Sequence, residues 1–358
     1  MERDGGAKMQ QWIGCDAHKK FSVFVAVDER GKASHAVRVE HKRKVFRAYL
    51  ESLPANSEIA IESMGSWYWL VDEMERAEHV PHLTNPLEAK KRMGKPNKTD
   101  KLDARGLGIL LRNGTLPECW IPPGELRDQR ELLRTRMALR DLRIKLKLRI
   151  HAALDRYGLH AEGISDLFGK SGRVYLAESA AELPEETRRM VVTQLGAIDE
   201  LTEKIEAVER RIQEQIAPSA EVKLLLTMPG VGAILAPVIW LEIGDVNRFP
   251  RAEQLASYAG LVPRVISSGE RMRLGSVSRS VNQYLKWAFV EAATCAVKLE
   301  AYRSEHIGRL YRRLLQKRGH GRAIVAVARH LAEASYWVLR KQQAYRSPQG
   351  KLTSSRNG

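Results

Sequence analysis

The sequence predicts an α/β domain at the N-terminus, a helical middle with coiled-coil spacing, and a mainly α C-terminal domain with a helix-hairpin-helix-like element. Three observations carry this. Short β-branched runs alternate with helical segments over residues 11–122. Apolar residues then recur at steps of three, four and seven over 123–217. From 218 to 341 the chain is helical in pattern, with one Gly/Pro-rich interruption early on. The polar ends, 1–10 and 342–358, read as disordered.

Residues 12–15, 21–27 and 34–39 are rich in β-branched and aromatic types, and Asp28-Glu-Arg-Gly31 supplies a turn, so a three-stranded meander opens the chain. A helix over 43–53, a strand at 58–62, a helix from Trp67 and a strand at 80–84 follow. In the middle, Leu139, Leu142, Leu146 and Ala153 keep a spacing near 3.5, and Val191, Ile198, Leu201, Ile205, Val208 and Ile212 keep it more cleanly. That pattern fits an antiparallel hairpin, a dimer seam, or amphipathic helices lying on the chain's own core. Residues 224–241 are uncharged for 18 positions, the length of a membrane span, but Pro229, Gly230, Gly232 and Pro237 break the run, which reads as a buried hairpin. Within it, Thr227-Met-Pro-Gly-Val-Gly232 is similar to the turn of a helix-hairpin-helix module, where the backbone N–H groups around Gly230 and Gly232 can hold a phosphate.

Composition narrows the partners. The 358 residues carry 59 Lys+Arg against 43 Asp+Glu, a formal charge of +16, which points to a polyanion such as nucleic acid rather than a membrane. Mean hydropathy is −0.36. Three scattered cysteines exclude a Cys-rich zinc module and fit a reducing cytoplasm, and the polar start shows no signal peptide. Ten Lys/Arg against two acids in 301–341 add a basic tail.

Four acids stand out by their order: Asp16 after the first strand, Glu62 ending the fourth, then Asp100 and Asp103, which share a face if 100–103 is helical. Four carboxylates in one place require a cation, and hard oxygen donors favour Mg²⁺ or Mn²⁺, which serve phosphoryl transfer. Each also has an ordinary explanation: a turn or cap for Asp16, solvation for Glu62, a helix cap for Asp100. Seven Lys/Arg in 90–105 beside only two acids favour a phosphate-handling site. The ten histidines, His18 and His82 included, show no ligand spacing and read as structural or phosphate-contacting.

At these residues the chain resembles a known family. The runs IGCDAHKKFSVFVAVDERGK, IAIESMGSWYW and TNPLEAKKRMGKPNKTDKLDAR are similar to the RuvC-like (RNase H-like) DEDD domain of insertion-sequence transposases that carry a second, serine-bearing domain. LLLTMPGVGAILAPVIWLEIGD, RAEQLASYAGLVPRVISSGERMRLGSVSR and AVARHLAEASYWVL resemble that second domain. The resemblance spans about residues 11–340. It departs at Met64, where relatives tend to have Thr, and at Arg279-Ser280-Val281, where a glycine is usual.

The resemblance implies metal ligands at Asp16, Glu62, Asp100 and Asp103 and a nucleophilic serine at Ser268, with Ser267 its adjacent competitor. Arg264, Arg271 and Arg273 are candidates to clamp phosphate. It further implies a Mg²⁺- or Mn²⁺-dependent recombinase that excises and inserts a mobile element through a phosphoserine link to DNA. A structured noncoding RNA would act as guide, and the protein would work as a homo-oligomer, a dimer or tetramer, in the cytoplasm at a bacterial or archaeal nucleoid. Two other classes compete: a metal-dependent nuclease of the Holliday-junction-resolvase type, and a non-catalytic nucleic-acid-binding protein.

Overall fold

The computed structural model describes residues 11–94, 99–268, 271–277, 281–303 and 305–348, with the backbone alone described for 264–268, 271–274 and 276–277. The expected disordered ends 1–10 and 349–358 lie outside the described residues. Residues 342–348 do not follow that expectation: Tyr345 packs against the C-terminal core, and its backbone N–H donates to Thr227 Oγ1 at 2.8 Å. The chain divides into two compact units, Met1–Gly124 and Glu125–Gly358.

In the first unit β1 (Trp12–Ala17), β2 (Phe21–Val27) and β3 (Val37–Glu40) form an antiparallel meander. The Asp28 carboxylate accepts from the N–H groups of Arg30 and Lys32, and Gly31 takes φ +81°, so the turn residues are used as their chemistry dictates. β4 (Glu58–Glu62) lies parallel to β1, and β5 (Val80–Thr84) parallel to β4, giving the order β3-β2-β1-β4-β5. Parallel neighbours need crossovers. These are α1 (Arg43–Glu51) and α2 (Trp67–Arg76), which cover one face of the sheet through Phe46, Leu50, Leu70 and Met74. The helices α3 (Pro86–Met93) and α4 (Asp100–Arg112) follow, and α4 covers the other face with Leu107, Leu110 and Leu111.

One buried charge sits in α2. Glu73 accepts from Arg43 at 2.8 Å, Arg47 at 2.9 Å and Arg76 at 2.8 Å. Burial pulls its pKa up, but the three guanidiniums, Arg47 foremost, outweigh this and hold it below the ordinary carboxylate range. A depressed pKa contributes stability above the unfolded-state value that is lost as pH falls through the folded one. Glu73→Gln therefore lowers stability by about 1–3 kcal/mol at neutral pH. In urea unfolding at stepped pH, the gap to the parent protein closes on the acid side; a gap constant with pH would refute the assignment.

The second unit begins with a helical hairpin: α5 (Gly124–Arg156), α6 (Lys170–Ser179) and α7 (Glu185–Gln215). The residues α7 buries are Val191, Ile198, Ile205 and Ile212, a strict seven-residue step. Its partner is α5 of the same chain, because Arg136 pairs with Glu209 at 2.7 Å and Arg143 donates to Thr202 Oγ1 at 3.1 Å, an antiparallel order. Of the expected α5 seam, Ala153 is buried and Leu146 packs on the same core, but Leu142 is exposed and Leu139 half-buried; α5 also buries Leu133, Met137, Ile150 and Leu154.

The hairpin's base shares a core with the rest of the unit, since Leu133, Ile212 and Ile216 pack with residues up to Leu339. No compact division falls at 217. This core is built by α8 (Ala220–Leu225), α9 (Leu235–Ile243), α10 (Ala252–Tyr258), α11 (Gln283–Lys298), α12 (His306–Arg318) and α13 (His320–Lys341), so the region is mostly helical. Buried Glu242 on α9 ties α5 to it, accepting from Arg134 at 3.2 Å and from the Asn282 amide at 2.8 Å. The apolar run 224–241 forms the end of α8, a turn and α9, and no helix among the described residues is long and apolar enough to cross a membrane. A two-stranded sheet, β6 (Pro263–Ser268) and β7 (Arg271–Val277), stands between α10 and α11.

Candidate active site

Residues alternate across β1, and this sets the direction of Asp16. Ile13 and Cys15 enter the core beneath α1 and α2, so Gly14 and Asp16 face α4. β4 repeats the pattern: Ile59 and Ile61 join the first core, Ala60 joins Leu107 and Leu111, and Glu62 falls on the α4 face. The last paired residues of the two strands are Cys15 and Ile61, and one further step of that register sets Asp16 beside Glu62. Burial pushes the Cys15 thiol pKa up, and the charges of Asp16 and Glu62 add to this while a hydrogen bond with Ser22 opposes it, so this cysteine stays a protonated core residue.

α4 runs against β1 and brings its own acids to the same end. A Cβ on Gly14 would lie 1.8 Å from the Ala104 carbonyl oxygen, so only glycine lets the helix backbone this close to the strand. Thr99 caps the helix, its hydroxyl accepting from Leu102 N–H at 3.3 Å. The cap explanation for Asp100 is thereby excluded. Asp100 and Asp103 sit in the first turn, where the helix dipole favours negative charge.

The structure gathers two of the four expected acids, together with His18, which the sequence reads as structural or phosphate-contacting. His18 Nε2 lies 3.3 Å from Asp16 Oδ2 and 3.3 Å from Asp100 Oδ2. One ligand atom each of Asp16, His18 and Asp100 lies within 4.8 Å of the others. Asp16 is buried, and the other two are half-buried. Glu62 and Asp103 stand on the same face, both half-buried, but outside this group. His82, by contrast, pairs with Glu118 at 3.2 Å.

In the second unit Ser268 is the last residue of β6, where a polar loop is the ordinary reading of such a sequence. The register sets it opposite Arg271, Ser267 opposite Met272, and Ile266 opposite Arg273, with an irregularity between Pro263 and Val265. The side chains of Ser268, Arg264, Arg271 and Arg273 lie outside the described residues, as do Gly269, Ser278, Arg279 and Ser280. At the foot of this hairpin a cavity of about 810 Å³ is lined by Leu261, Pro263 and Gly275 on one side and Leu314, Arg318 and Arg322 on the other. Gly230 has a packing duty: it takes φ +73°, and a Cβ there would lie 2.0 Å from the Ala292 carbonyl oxygen of α11. Gly232 is exposed with open space around it.

Residues 13–159 match the family profile of the IS110 DEDD transposases, described as a transposase, and residues 222–307 match the profile described as the transposase IS116/IS110/IS902 family. The first range contains all four acids and His18, the second the β6–β7 hairpin. The chain belongs to this family of insertion-sequence transposases. Relatives run nearly end to end with it. A probable family 20 transposase of Pseudomonas aeruginosa is 27% identical over 93% of this chain and 98% of its own length. The transposase for insertion sequence element IS1111A of Coxiella burnetii is 25% identical over 93% of this chain and 91% of its own. Transposases cleave and rejoin DNA, so the non-catalytic reading is set aside. In this transposase the structure brings His18, which the sequence reads as structural or phosphate-contacting, beside Asp16 and Asp100. The signal for this in the sequence is its place two residues after Asp16 in a tight strand reversal.

Proposed function

We propose that this transposase excises and inserts its mobile element by a phosphoserine mechanism, guided by a structured noncoding RNA. The observation that carries the acid half is the convergence of Asp16 and Asp100, from a strand end and a helix start distant in sequence, on one point beside His18. The mixed sheet order, with α4 across one face, supports the RuvC-like (RNase H-like) reading. The donor set fits a divalent cation: two carboxylates and an imidazole nitrogen converge, and that nitrogen is buried with no hydrogen bond. Asp16 and Asp100, with Glu62 and Asp103 alongside, would hold Mg²⁺ or Mn²⁺. When bound, such an ion supplies neutralisation of phosphate charge and a lowered pKa for a nearby hydroxyl.

The chain's residues do the rest. The Ser268 Oγ attacks the scissile phosphorus, its proton leaves, a P–O bond to serine forms, and the P–O bond to the departing deoxyribose oxygen breaks, that oxygen taking up a proton. The phosphodiester energy stays in the phosphoserine link and is available for rejoining. Arg264, Arg271 and Arg273 clamp the phosphate oxygens. No histidine occurs between 264 and 279, so the serine is not activated by an imidazole from its own hairpin. Base pairing of the RNA reads DNA sequence, and the basic surfaces read backbone; a homo-oligomer is the expected working form.

The test of guidance is sequencing of RNA that copurifies when the protein is expressed with its native flanking DNA. A discrete structured species from the flank is expected, and bulk cellular RNA alone would overturn it. The cavity below the hairpin gives a second test. Arg318 and Arg322 flank an apolar floor, and among the described residues no carboxylate pairs with either. The double variant Arg318→Ala/Arg322→Ala lowers nucleic-acid affinity and reduces the slope of log K against log salt by about 2, one per lost phosphate contact. An unchanged slope in a salt titration removes these arginines from the interface.

A further inference from the structure

We propose that His18 is itself a metal ligand of the acid site and that it biases the site toward Mn²⁺ over Mg²⁺. This rests on the reading of Asp16 and Asp100 as metal-holding carboxylates. The His18 Nε2 is 3.3 Å from one oxygen of each of two carboxylates, yet the atom is buried and no hydrogen bond of acceptable geometry reaches it. One ligand atom from each of the three residues lies within 4.8 Å of the other two, a spacing that donors around a single cation adopt.

The ring is also held in place. The His18 backbone N–H donates to Phe21 O at 2.8 Å across the β1–β2 reversal, and the imidazole packs on the Phe21 ring at a centroid distance of 4.6 Å. Asp16 is fixed by its strand, and Asp100 by a capped helix start. The three donors are thus set by the backbone of two separate segments rather than by flexible surface side chains. Carboxylates alone suit either ion. Mg²⁺ demands oxygen ligands in a near-ideal octahedron, whereas first-row transition ions accept imidazole nitrogen, so one His among the acids shifts preference toward Mn²⁺.

The experiment is Mn²⁺ and Mg²⁺ binding to the full-length protein, with MnCl₂ as the paramagnetic probe, for the parent, His18→Ala and Asp16→Asn. Electron spin-echo envelope modulation of the Mn²⁺-loaded parent shows ¹⁴N coupling that His18→Ala lacks. The same variant weakens Mn²⁺ at least about tenfold and Mg²⁺ far less, with unchanged thermal unfolding. Unchanged or tighter Mn²⁺ binding in His18→Ala, while Asp16→Asn abolishes it, overturns the His18 assignment and leaves the acid site standing: the imidazole would then be an imidazolium bridging the two acids. Retained binding in Asp16→Asn overturns both.

Discussion

Asp16→Asn is expected to lower DNA strand cleavage by roughly 10³-fold while leaving thermal unfolding unchanged. The substitution keeps the size of the side chain and removes its charge. The position is buried on the α4 face of the sheet, at the point where strand, reversal and helix start converge. Losses of the same order are expected for Asp100→Asn, because its Oδ2 stands as near to His18 as that of Asp16 does. The measurement is single-turnover cleavage of element-end DNA in excess Mg²⁺ or Mn²⁺. A normally folded Asp16→Asn protein that cleaves at the parent rate would exclude the acid site from the chemistry. Glu62→Gln and Asp103→Asn, which lie outside the gathered group, show in the same assay how far the site extends along that face.

How much of this was legible in the sequence differs by element, for physical reasons. β2, β4 and β5 appear with the expected ends because each is a β-branched run bounded by turn or polar residues, and local pattern is sufficient there. The Val191, Ile198, Ile205, Ile212 stripe is equally local. The position of His18 is not a local matter: its approach to Asp100 follows from the direction in which α4 crosses β1, and that crossing is licensed by Gly14, a residue with no side chain to draw attention. The seam on α5 is only partly legible because core-facing positions near its start are taken by the buried arginines Arg127 and Arg130, while Leu142 stays exposed; the Arg130 guanidinium buries as well as a leucine by bonding to the carbonyls of Leu241 and Glu242. Gly230 reads as a phosphate-cradling glycine, and the structure adds a second demand for glycine there, its close packing on α11. Ser268 looked like a loop residue because Ser, Gly and Arg dominate its neighbourhood; pairing with 271–277 makes it a strand end.

That strand end is where the phosphoserine mechanism and its strongest rival part. In a resolvase-type nuclease the acids direct water at the phosphate and the serine is incidental, so Ser268→Ala would cleave at the parent rate. In the recombinase the same variant loses the nucleophile, and Ser267, one residue back and opposite Met272 in the register, is not expected to replace it. Cleavage is expected to fall by more than about 10⁴-fold, with no denaturant-resistant protein–DNA adduct, while Ser267→Ala retains both. Alanine is tolerated at a strand end, so loss of fold does not cloud the result. Adduct formation on end-labelled DNA, followed by peptide mapping of the linked residue, decides it: a link at Ser268 excludes hydrolysis by water, and full cleavage by Ser268→Ala with no adduct in the parent leaves the acid site as the whole of the chemistry.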